Sequence, residues 1–307
     1  MKAIVYRKLG AADVLQLEDR SDPEPGAHQV LIDVQAMGTN PVDYKLRSGD
    51  LPFSFFFALK LPFIPGAECS GIVTAVGSAV RDFVAGDRVV AFHSALRGGA
   101  CAEKFATEAK NCLKMDDRLD FVTAAAFPLA GLTALQLLDG LPGSTALIYG
   151  ASGGVGHLAL GIARQLGLKV QAVASRRNSD FLRQLGAETI LAYDDPDFAA
   201  ELEVYDIFLD AVAGYSPSTA RKYIQPGGAY LTTLPHPFHI LTAFRYGLRY
   251  RGAMVQSRRA DMERLQEWIV SGKVKVHVDQ TLPLARAAEA HRLLESGRTR
   301  GKIVLVR

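Results

Sequence analysis

The fold of this chain is decided by one stretch, Tyr149-Gly150-Ala151-Ser152-Gly153-Gly154-Val155-Gly156. An apolar run at 146–148 precedes it, a helical pattern follows at 157–166, and a second apolar run comes at 169–174. A strand, a glycine turn, a helix and a strand thus follow one another within about thirty residues. In that context a glycine-rich turn indicates a dinucleotide-binding βαβ unit.

The glycines of this turn suit the binding of phosphate groups. Gly153 is expected to let the backbone approach a pyrophosphate, and Gly156 to let the helix lie close to the strand. The N–H groups at the start of the helix are then available to the phosphates. The first glycine of the usual G-x-G-x-x-G is Ala151 here, so the prediction depends on the surrounding elements as much as on the string. The predicted phosphate-binding residues are Ser152, Gly153, Gly154 and Val155.

The end of the second strand predicts which dinucleotide binds. NAD-binding proteins place an acidic residue there, roughly 20 residues after the glycines, to bind the ribose 2′-hydroxyl. This chain instead has Ala-Ser-Arg-Arg-Asn at 174–178, without a carboxylate. One guanidinium group can bind two phosphate oxygens at once. Ser175 and Arg176 are therefore predicted to bind the 2′-phosphate of NADPH. The alternative is a solvated loop with two ordinary arginines.

Composition limits the classes of function. The chain has 307 residues, enough for two domains, with 49% hydrophobic residues, 22% charged residues and a net charge of +3. The positive residues form no long block, so nucleic-acid and anionic-membrane binding are not expected. Three cysteines without metal-type spacing suit a reducing cytoplasm. The N-terminus alternates like a strand and no apolar run approaches 18 residues, so neither a signal peptide nor a membrane span is expected.

The pattern of predicted strands and helices changes twice along the chain. Residues 1–118 contain short strands with Gly and Pro turns, which predict a small barrel or rolled sheet. Residues 119–257 alternate strands and helices, as in a doubly wound parallel sheet. Residues 258–307 contain two helices and a closing strand, and this segment is expected to return and complete the first domain. The predicted fold class is therefore α/β, with a parallel-sheet domain inserted in a β-rich domain.

Several motifs, taken in order, resemble the medium-chain dehydrogenase/reductase superfamily, and within it the zinc-free quinone oxidoreductases of the zeta-crystallin-like and enone reductase branch. Besides the glycine turn they are GTNPVDYKLRSG at 38–49, PGAECSGIV at 65–73, AGDRV at 85–89, AGLTA at 130–134, LGAE at 185–188, QPGG at 225–228 and GKIVL at 301–305. The resemblance implies a catalytic domain similar to chaperonin-10 (GroES-like), interrupted by a Rossmann domain, with the active site in the cleft between them.

The same resemblance bears on metal chemistry. Zinc-dependent relatives carry Cys at the place of Asn40 and His at the place of Ala67, whereas Glu68 alone cannot hold zinc. A catalytic zinc needs three protein ligands and one open position. A zinc alcohol dehydrogenase is therefore disfavoured, and no metal is expected.

Without a metal the substrate must already be electrophilic, such as a quinone or an α,β-unsaturated carbonyl. The resemblance places Asn40 in the loop that lines the nicotinamide end of the cleft, where its amide could donate to a carbonyl oxygen; otherwise it is a turn residue before Pro41. Lys45 stands where enone and alkenal reductases also have Lys, and its ammonium could stabilise an enolate oxygen or pass on a proton. Otherwise Lys45 is a surface residue, and Asp43 is expected to cap the helix rather than take part in chemistry.

Further cofactor contacts are implied by the resemblance and by position. Thr133 stands where relatives contact the nicotinamide, and Tyr193 stands where they place a tyrosine over the adenine ribose and 2′-phosphate. Thr232, Thr233 and Leu234 follow the fifth strand of the parallel sheet, at the edge where ligands bind. The aromatic segment 51–57 suggests either an apolar lip for a planar substrate or a packing surface.

Two classes of function remain open. The leading hypothesis is an NADPH-dependent reductase of quinones, enones or enals, assembled as a dimer or tetramer like its relatives. The alternative is an NADPH-binding protein of low turnover, acting as a sensor or as a structural or RNA-associated protein. Lys45 and the cofactor turn favour catalysis, because a pure binder needs no donor at the nicotinamide end.

Overall fold

The structure, a computed structural model, describes residues 1–50 and 60–307. In chain order the strands are β1 (Lys2–Val5), β2 (Gln16–Asp19), β3 (Gln29–Gly38), β4 (Glu68–Val76), β5 (Arg88–Phe92), β6 (Lys104–Glu108), β7 (Cys112–Lys114), β8 (Thr145–Tyr149), β9 (Lys169–Ala174), β10 (Thr189–Ala192), β11 (Tyr205–Asp210), β12 (Ile224–Thr232), β13 (Arg249–Gly252), β14 (Val278–Pro283) and β15 (Lys302–Val306). The helices are α1 (Pro41–Ser48), α2 (Phe121–Ala126), α3 (Pro128–Leu138), α4 (Gly154–Gln165), α5 (Ser179–Gln184), α6 (Phe198–Glu201), α7 (Pro217–Ala220), α8 (Pro237–Arg245), α9 (Arg259–Val270) and α10 (Ala287–Glu295). The aromatic segment 51–57 lies outside the described residues.

The described chain forms two compact units. The first contains Met1–Leu129, Gln256–Val270 and Val276–Arg307, and the second contains Ala130–Val255 and Ser271–Lys275. The first change of unit thus comes after the boundary predicted at 118/119. The reason is α2, whose Ala125 and Ala126 are buried against Ala36 and Val304 of the first unit.

The first unit is built on a mixed sheet. Within the described residues its strand order is β14-β15-β3-β4-β5-β7, and β6 also pairs with β3. Alternate residues of β3 (Val30, Ile32, Val34) are buried in the main core of this unit, as the period of two predicts. The closing strand β15 pairs antiparallel with β3, with Val304 opposite Gly38. The last strand of the chain thus belongs to the sheet of the first unit.

The second unit is built on a parallel sheet. Within the described residues the order is β10-β9-β8-β11-β12-β13, and every neighbouring pair is parallel. The inner residues of β8 and β11 are fully buried, as expected for strands covered on both faces. The strand order reverses between β8 and β11, and ligands of such sheets bind beyond the carboxyl ends at that reversal. The predicted doubly wound Rossmann sheet is confirmed.

None of the helices in the described ranges is both long and apolar enough to cross a membrane.

Candidate active site

The glycine turn after β8 has its tightest point one residue earlier than the sequence motif suggests. Gly150 adopts φ +80°, a left-handed conformation, and a Cβ placed there would lie 2.5 Å from a methyl carbon of Val212. Gly150 therefore makes the turn that the motif assigns to its first glycine, while Ala151 is fully buried. The role of Gly150 was missed from the sequence, because the motif assigns the first glycine to the position that Ala151 occupies.

The same turn leads directly into α4. Gly153 is the residue that caps this helix, and Gly154 is its first residue. A Cβ on Gly156 would lie 2.2 Å from the carbonyl oxygen of Gly150, so only glycine allows this close approach, as predicted. A Cβ on Gly153 would meet nothing nearer than that oxygen, at 3.5 Å, which leaves the space before the helix open. Ser152, Gly153, Gly154 and Val155 are all partly accessible there.

A side chain that sequence reasoning missed joins the glycine turn to the end of β9. Asn178 is buried, and its Nδ2 donates to Ser152 Oγ at 2.9 Å and to Ser175 Oγ at 3.2 Å. The two predicted cofactor serines are thus fixed near each other by one amide. Its position three residues after Ser175 gave no signal, because only the parallel pairing of β8 and β9 brings the two loops together.

Arg176 lies at the surface beside two carboxylates. Its side chain is 72% exposed, its Nε donates to Asp195 Oδ1 at 2.7 Å, and its Nη2 also donates to that oxygen. Its backbone N–H donates to Asp194 Oδ1 at 2.7 Å. The segment 174–178 has no carboxylate of its own, but the fold brings Asp194 and Asp195 beside Arg176. The carboxylates come from the loop after β10, which lies beside β9 in the sheet.

Tyr193 begins that same loop. Its N–H donates to the Ala174 carbonyl at 3.0 Å, and its half-exposed ring lies 6.3 Å, centroid to centroid, from the ring of Tyr149. Tyr193, Arg176 and Ser175 consequently lie at one edge of the parallel sheet, after the neighbouring strands β9 and β10.

The predicted cofactor residues Thr232, Thr233 and Leu234 lie at the carboxyl end of β12, next to the carboxyl end of β11. Thr232 is buried, its Oγ1 accepts from Leu234 N–H at 3.3 Å, and Thr233 N–H donates to the Asp210 carbonyl at 3.2 Å. The Asp210 carboxylate, also missed from the sequence, accepts the N–H of Tyr215 at 2.7 Å and fixes the loop after β11. Thr133, predicted to contact the nicotinamide, is buried in α3.

In the first unit, Asn40 belongs to a buried polar network with Glu68 and Lys302. Asn40 Nδ2 donates to Glu68 Oε1 at 2.7 Å, and Lys302 Nζ donates to Asn40 Oδ1 at 2.5 Å and to Glu68 Oε1 at 2.9 Å. The second carboxylate oxygen, Glu68 Oε2, accepts the N–H of Leu129 at 2.5 Å. Glu68 is 0% exposed and Lys302 3%, so each charge is compensated inside the protein.

The network fixes the orientation of the Asn40 amide. Its oxygen must face the Lys302 ammonium and its nitrogen the Glu68 carboxylate, since the reverse would set two acceptors and two donors against each other. One hydrogen of Nδ2 serves Glu68. The same site explains Gly38 in the motif, because a Cβ there would lie 2.3 Å from Glu68 Oε1.

Helix α1 carries the other predicted catalytic residue. Asp43 Oδ2 accepts the N–H of Asn40 at 2.8 Å and closes the first turn, which confirms its predicted capping role. Burial raises the pKa of Asp43 to about 7; the hydrogen bond from Asn40 opposes that rise, and the charge of Glu68 adds to it. Lys45, two residues later, is half-buried. Within residues 1–50 and 60–307, no carboxylate lies within ion-pair distance of its ammonium.

The described residues contain no group of three His, Cys, Asp or Glu side chains that could hold a metal ion. Cys69, Cys101 and Cys112 are free and buried, and burial raises the pKa of each thiol.

Known families match most of the chain. The alcohol dehydrogenase GroES-like domain matches residues 26–134, and the zinc-binding dehydrogenase family matches residues 185–305. The chain is 32% identical to the chloroplast envelope quinone oxidoreductase homolog of Arabidopsis thaliana, over 99% of this chain and 98% of the relative. It is 36% identical to the chloroplastic NADPH-dependent alkenal/one oxidoreductase of the same plant, over 99% of this chain and 79% of the relative.

Solved structures agree with these relatives. The quinone oxidoreductase of Coxiella burnetii has a TM-score of 0.93 at 32% identity, covering 100% of this chain and 99% of its own. The Escherichia coli quinone oxidoreductase complexed with NADPH has a TM-score of 0.88 at 27% identity, covering 100% of both chains. This chain belongs to the medium-chain dehydrogenase/reductase superfamily, in its quinone and enone oxidoreductase branch.

Proposed function

We propose that this protein is an NADPH-dependent oxidoreductase that transfers hydride to quinones or α,β-unsaturated carbonyls without a metal. One observation carries the proposal: Asn40, which stands where the resemblance gives zinc-dependent relatives a cysteine ligand, is held in a buried hydrogen-bond network with Glu68 and Lys302. The names of the relatives, an alkenal/one oxidoreductase and a quinone oxidoreductase, support the same chemistry.

The second unit is proposed to bind NADPH. Ser152, Gly153, Gly154 and Val155 are partly accessible at the start of α4, where the free N–H groups of a helix favour phosphate. Ser175, Arg176 and Tyr193 are proposed to hold the 2′-phosphate. Thr133, Thr232, Thr233 and Leu234 are proposed to contact the remainder of the cofactor.

Bound NADPH would supply the hydride, and the first unit is proposed to stabilise the charge that forms on the substrate. When hydride adds to a conjugated carbonyl, negative charge develops on oxygen, and oriented donors lower the energy of that state. Asn40 is proposed to donate the Nδ2 hydrogen that Glu68 does not use. Because Lys302 holds the amide oxygen, Asn40 cannot turn its acceptor toward the substrate. Lys45 is proposed to stabilise the enolate oxygen or to deliver a proton.

The competing functions are disfavoured for separate reasons. A zinc alcohol dehydrogenase needs ligands, and at two of the expected positions this chain has Asn40 and Ala67. A binding protein of low turnover would need the cofactor turn but neither Lys45 nor a fixed amide at position 40.

We also propose that the protein is a homo-oligomer. Strand β13 ends the described sheet, and the neighbouring helix α8 exposes large apolar side chains: Phe238 and Leu241 are 68% exposed and Phe244 is 84% exposed. A contiguous apolar surface of this kind is typical of an interface, and a second copy of the chain is the proposed occupant.

The mild net charge supports no nucleic-acid or membrane partner, and three free thiols support a reducing compartment such as the cytoplasm.

Cofactor binding tests the assignment directly. A charge-assisted contact contributes roughly 1.5–3 kcal/mol, so NADPH should bind about ten- to a hundred-fold more tightly than NADH. Arg176→Ala should remove most of that difference and leave NADH binding unchanged. Arg183→Ala, which removes an exposed arginine on α5, is the matched control. Equal affinities for the two cofactors in the wild-type protein would contradict the assignment.

A further inference from the structure

The ion pair between Arg176 and Asp195 bears on cofactor selectivity, and this inference rests on the proposed binding of NADPH. Arg176, the proposed ligand of the 2′-phosphate, is already paired with a carboxylate. Asp195 Oδ1 accepts hydrogen bonds from both Nε and Nη2 of the Arg176 guanidinium. Asp194 Oδ1 accepts the backbone N–H of the same arginine at 2.7 Å. The loop after β10 therefore places two carboxylates beside the proposed phosphate ligand.

The sheet keeps these carboxylates in place. Strands β9 and β10 are parallel neighbours, with Ala192 opposite Ala174, so the loops that follow them leave the same edge. The N–H of Tyr193 donates to the Ala174 carbonyl at 3.0 Å, which ties the two loops together. Asp195 is consequently held beside Arg176 by backbone pairing as well as by charge.

We propose that Asp195 is a specificity-determining residue that weakens the preference for NADPH over NADH by competing with the 2′-phosphate for Arg176. Nε and Nη2 form one edge of the Arg176 guanidinium, and both donate to Asp195. Without Asp195, this edge could donate to two phosphate oxygens. NADPH must therefore either displace Asp195 or use the remaining N–H groups beside a negative charge. NADH carries no phosphate at this position and encounters neither cost.

The test is the ratio of NADPH to NADH affinity in Asp195→Asn. Asparagine keeps the size of the side chain and removes its charge. The ratio should rise about 3- to 20-fold, with NADH affinity unchanged. Asp180→Asn, which removes an exposed carboxylate on α5, is the charge-matched control and should leave the ratio unchanged. An unchanged or lower ratio in Asp195→Asn would overturn the proposal, a lower one because Asp195 would then serve to orient Arg176.

Two further measurements separate competition for Arg176 from other effects. In an Arg176→Ala background, Asp195→Asn should raise the ratio much less than in the wild type, and an equal rise would refute competition for the guanidinium. The gain should also shrink between about 0.01 M and about 1 M salt, because exposed charges are screened. A change in local folding alone would not follow ionic strength in this way.

Failure of this inference is distinguishable from failure of the proposed function. If NADPH is preferred and the preference depends on Arg176, but Asp195→Asn leaves the ratio unchanged, only the role of Asp195 is wrong. If wild type and Arg176→Ala both bind the two cofactors equally, the NADPH assignment itself is wrong.

Discussion

At the scale of single residues, the proposed chemistry depends on two donors of different kinds. Asn40 is buried and fixed by Glu68 and Lys302, whereas Lys45 is half-buried on a short helix. The first is an oriented neutral donor, and the second is an ammonium at the end of a four-carbon side chain. An oriented donor acts on charge developing at one point, while an ammonium on a flexible chain can also deliver a proton.

Replacing Lys45 tests whether this lysine takes part in conjugate reduction. Lys45→Ala should lower kcat for an enal or enone by roughly ten- to a thousand-fold, the range for removal of one such donor. NADPH affinity should change little, and a strongly oxidising quinone should lose less because its reduced oxygen carries a better delocalised charge. Steady-state NADPH oxidation with each acceptor measures both effects, and Lys8→Ala, an exposed lysine, is the control.

A double mutant links Lys45 to Asn40. If both donors act on one oxygen, Asn40→Ala should show the same order of acceptors, and the double variant should lose less than the sum of the two single effects. Unchanged turnover of every acceptor in Lys45→Ala would mean that this lysine is a surface residue, and the preference for enones would lose its support.

Asp43 predicts how stability depends on pH. Burial, with a smaller contribution from Glu68, raises its pKa from the ordinary 3.8 to about 7, so the folded state favours the protonated acid. The protonated acid stabilises the folded state fully below pH 3.8, and this stabilisation is lost as the pH rises toward 7. The loss in the free energy of unfolding between these two pH values is up to about 4 kcal/mol. Asp43→Asn should therefore flatten the pH dependence of the free energy of unfolding across that window, measured by urea denaturation. Asp180→Asn should leave the profile unchanged; a wild-type profile with no fall attributable to Asp43 would contradict the prediction.

At the scale of elements, local patterns predicted the parallel sheet well. The apolar runs of β8 and β9 and the glycine turn between them are adjacent in sequence, so their periodicity and turn chemistry are visible without the fold. The position of the tight turn, Gly150 rather than residue 151, was not visible. It depends on the close approach of Val212 from another strand's loop.

The polar networks were less predictable for the same reason. Asn40 and Lys302 are 262 residues apart and meet only because β15 and β4 both pair with β3, opposite Gly38. Lys302 is the first residue of the apolar strand β15, a place where a lysine gives no sign in the sequence of which acceptor it meets. Asp195 likewise reaches Arg176 only through the pairing of β9 with β10.

Helix α8 carries the prediction about assembly. Phe244→Glu places a charge on the proposed apolar interface and should increase the fraction of monomer, measured by sedimentation at several protein concentrations. Val204→Glu, at an exposed apolar residue before β11, should leave the assembly intact. A wild-type protein that remains monomeric at every concentration would show that α8 is not an interface between copies.

At the scale of the whole molecule, the residues proposed to bind the cofactor and those proposed to act on the substrate are in different units of the same chain. The unit Ala130–Val255 with Ser271–Lys275 contains the dinucleotide turn and the loops proposed to select NADPH. The other unit contains the donors proposed to stabilise charge on the substrate, held without any metal-ligand group among the described residues. These donors are proposed to replace a Lewis acid and so to limit the enzyme to substrates that are already electrophilic.

The most direct test is NADPH oxidation with an enone and a quinone, measured before and after exhaustive chelation, together with elemental analysis of the same sample. The expected result is turnover of both acceptors, unchanged after chelation, in a protein that contains no stoichiometric zinc. One tightly bound zinc per chain, with activity lost on its removal and restored by its return, would show that the reaction depends on a metal.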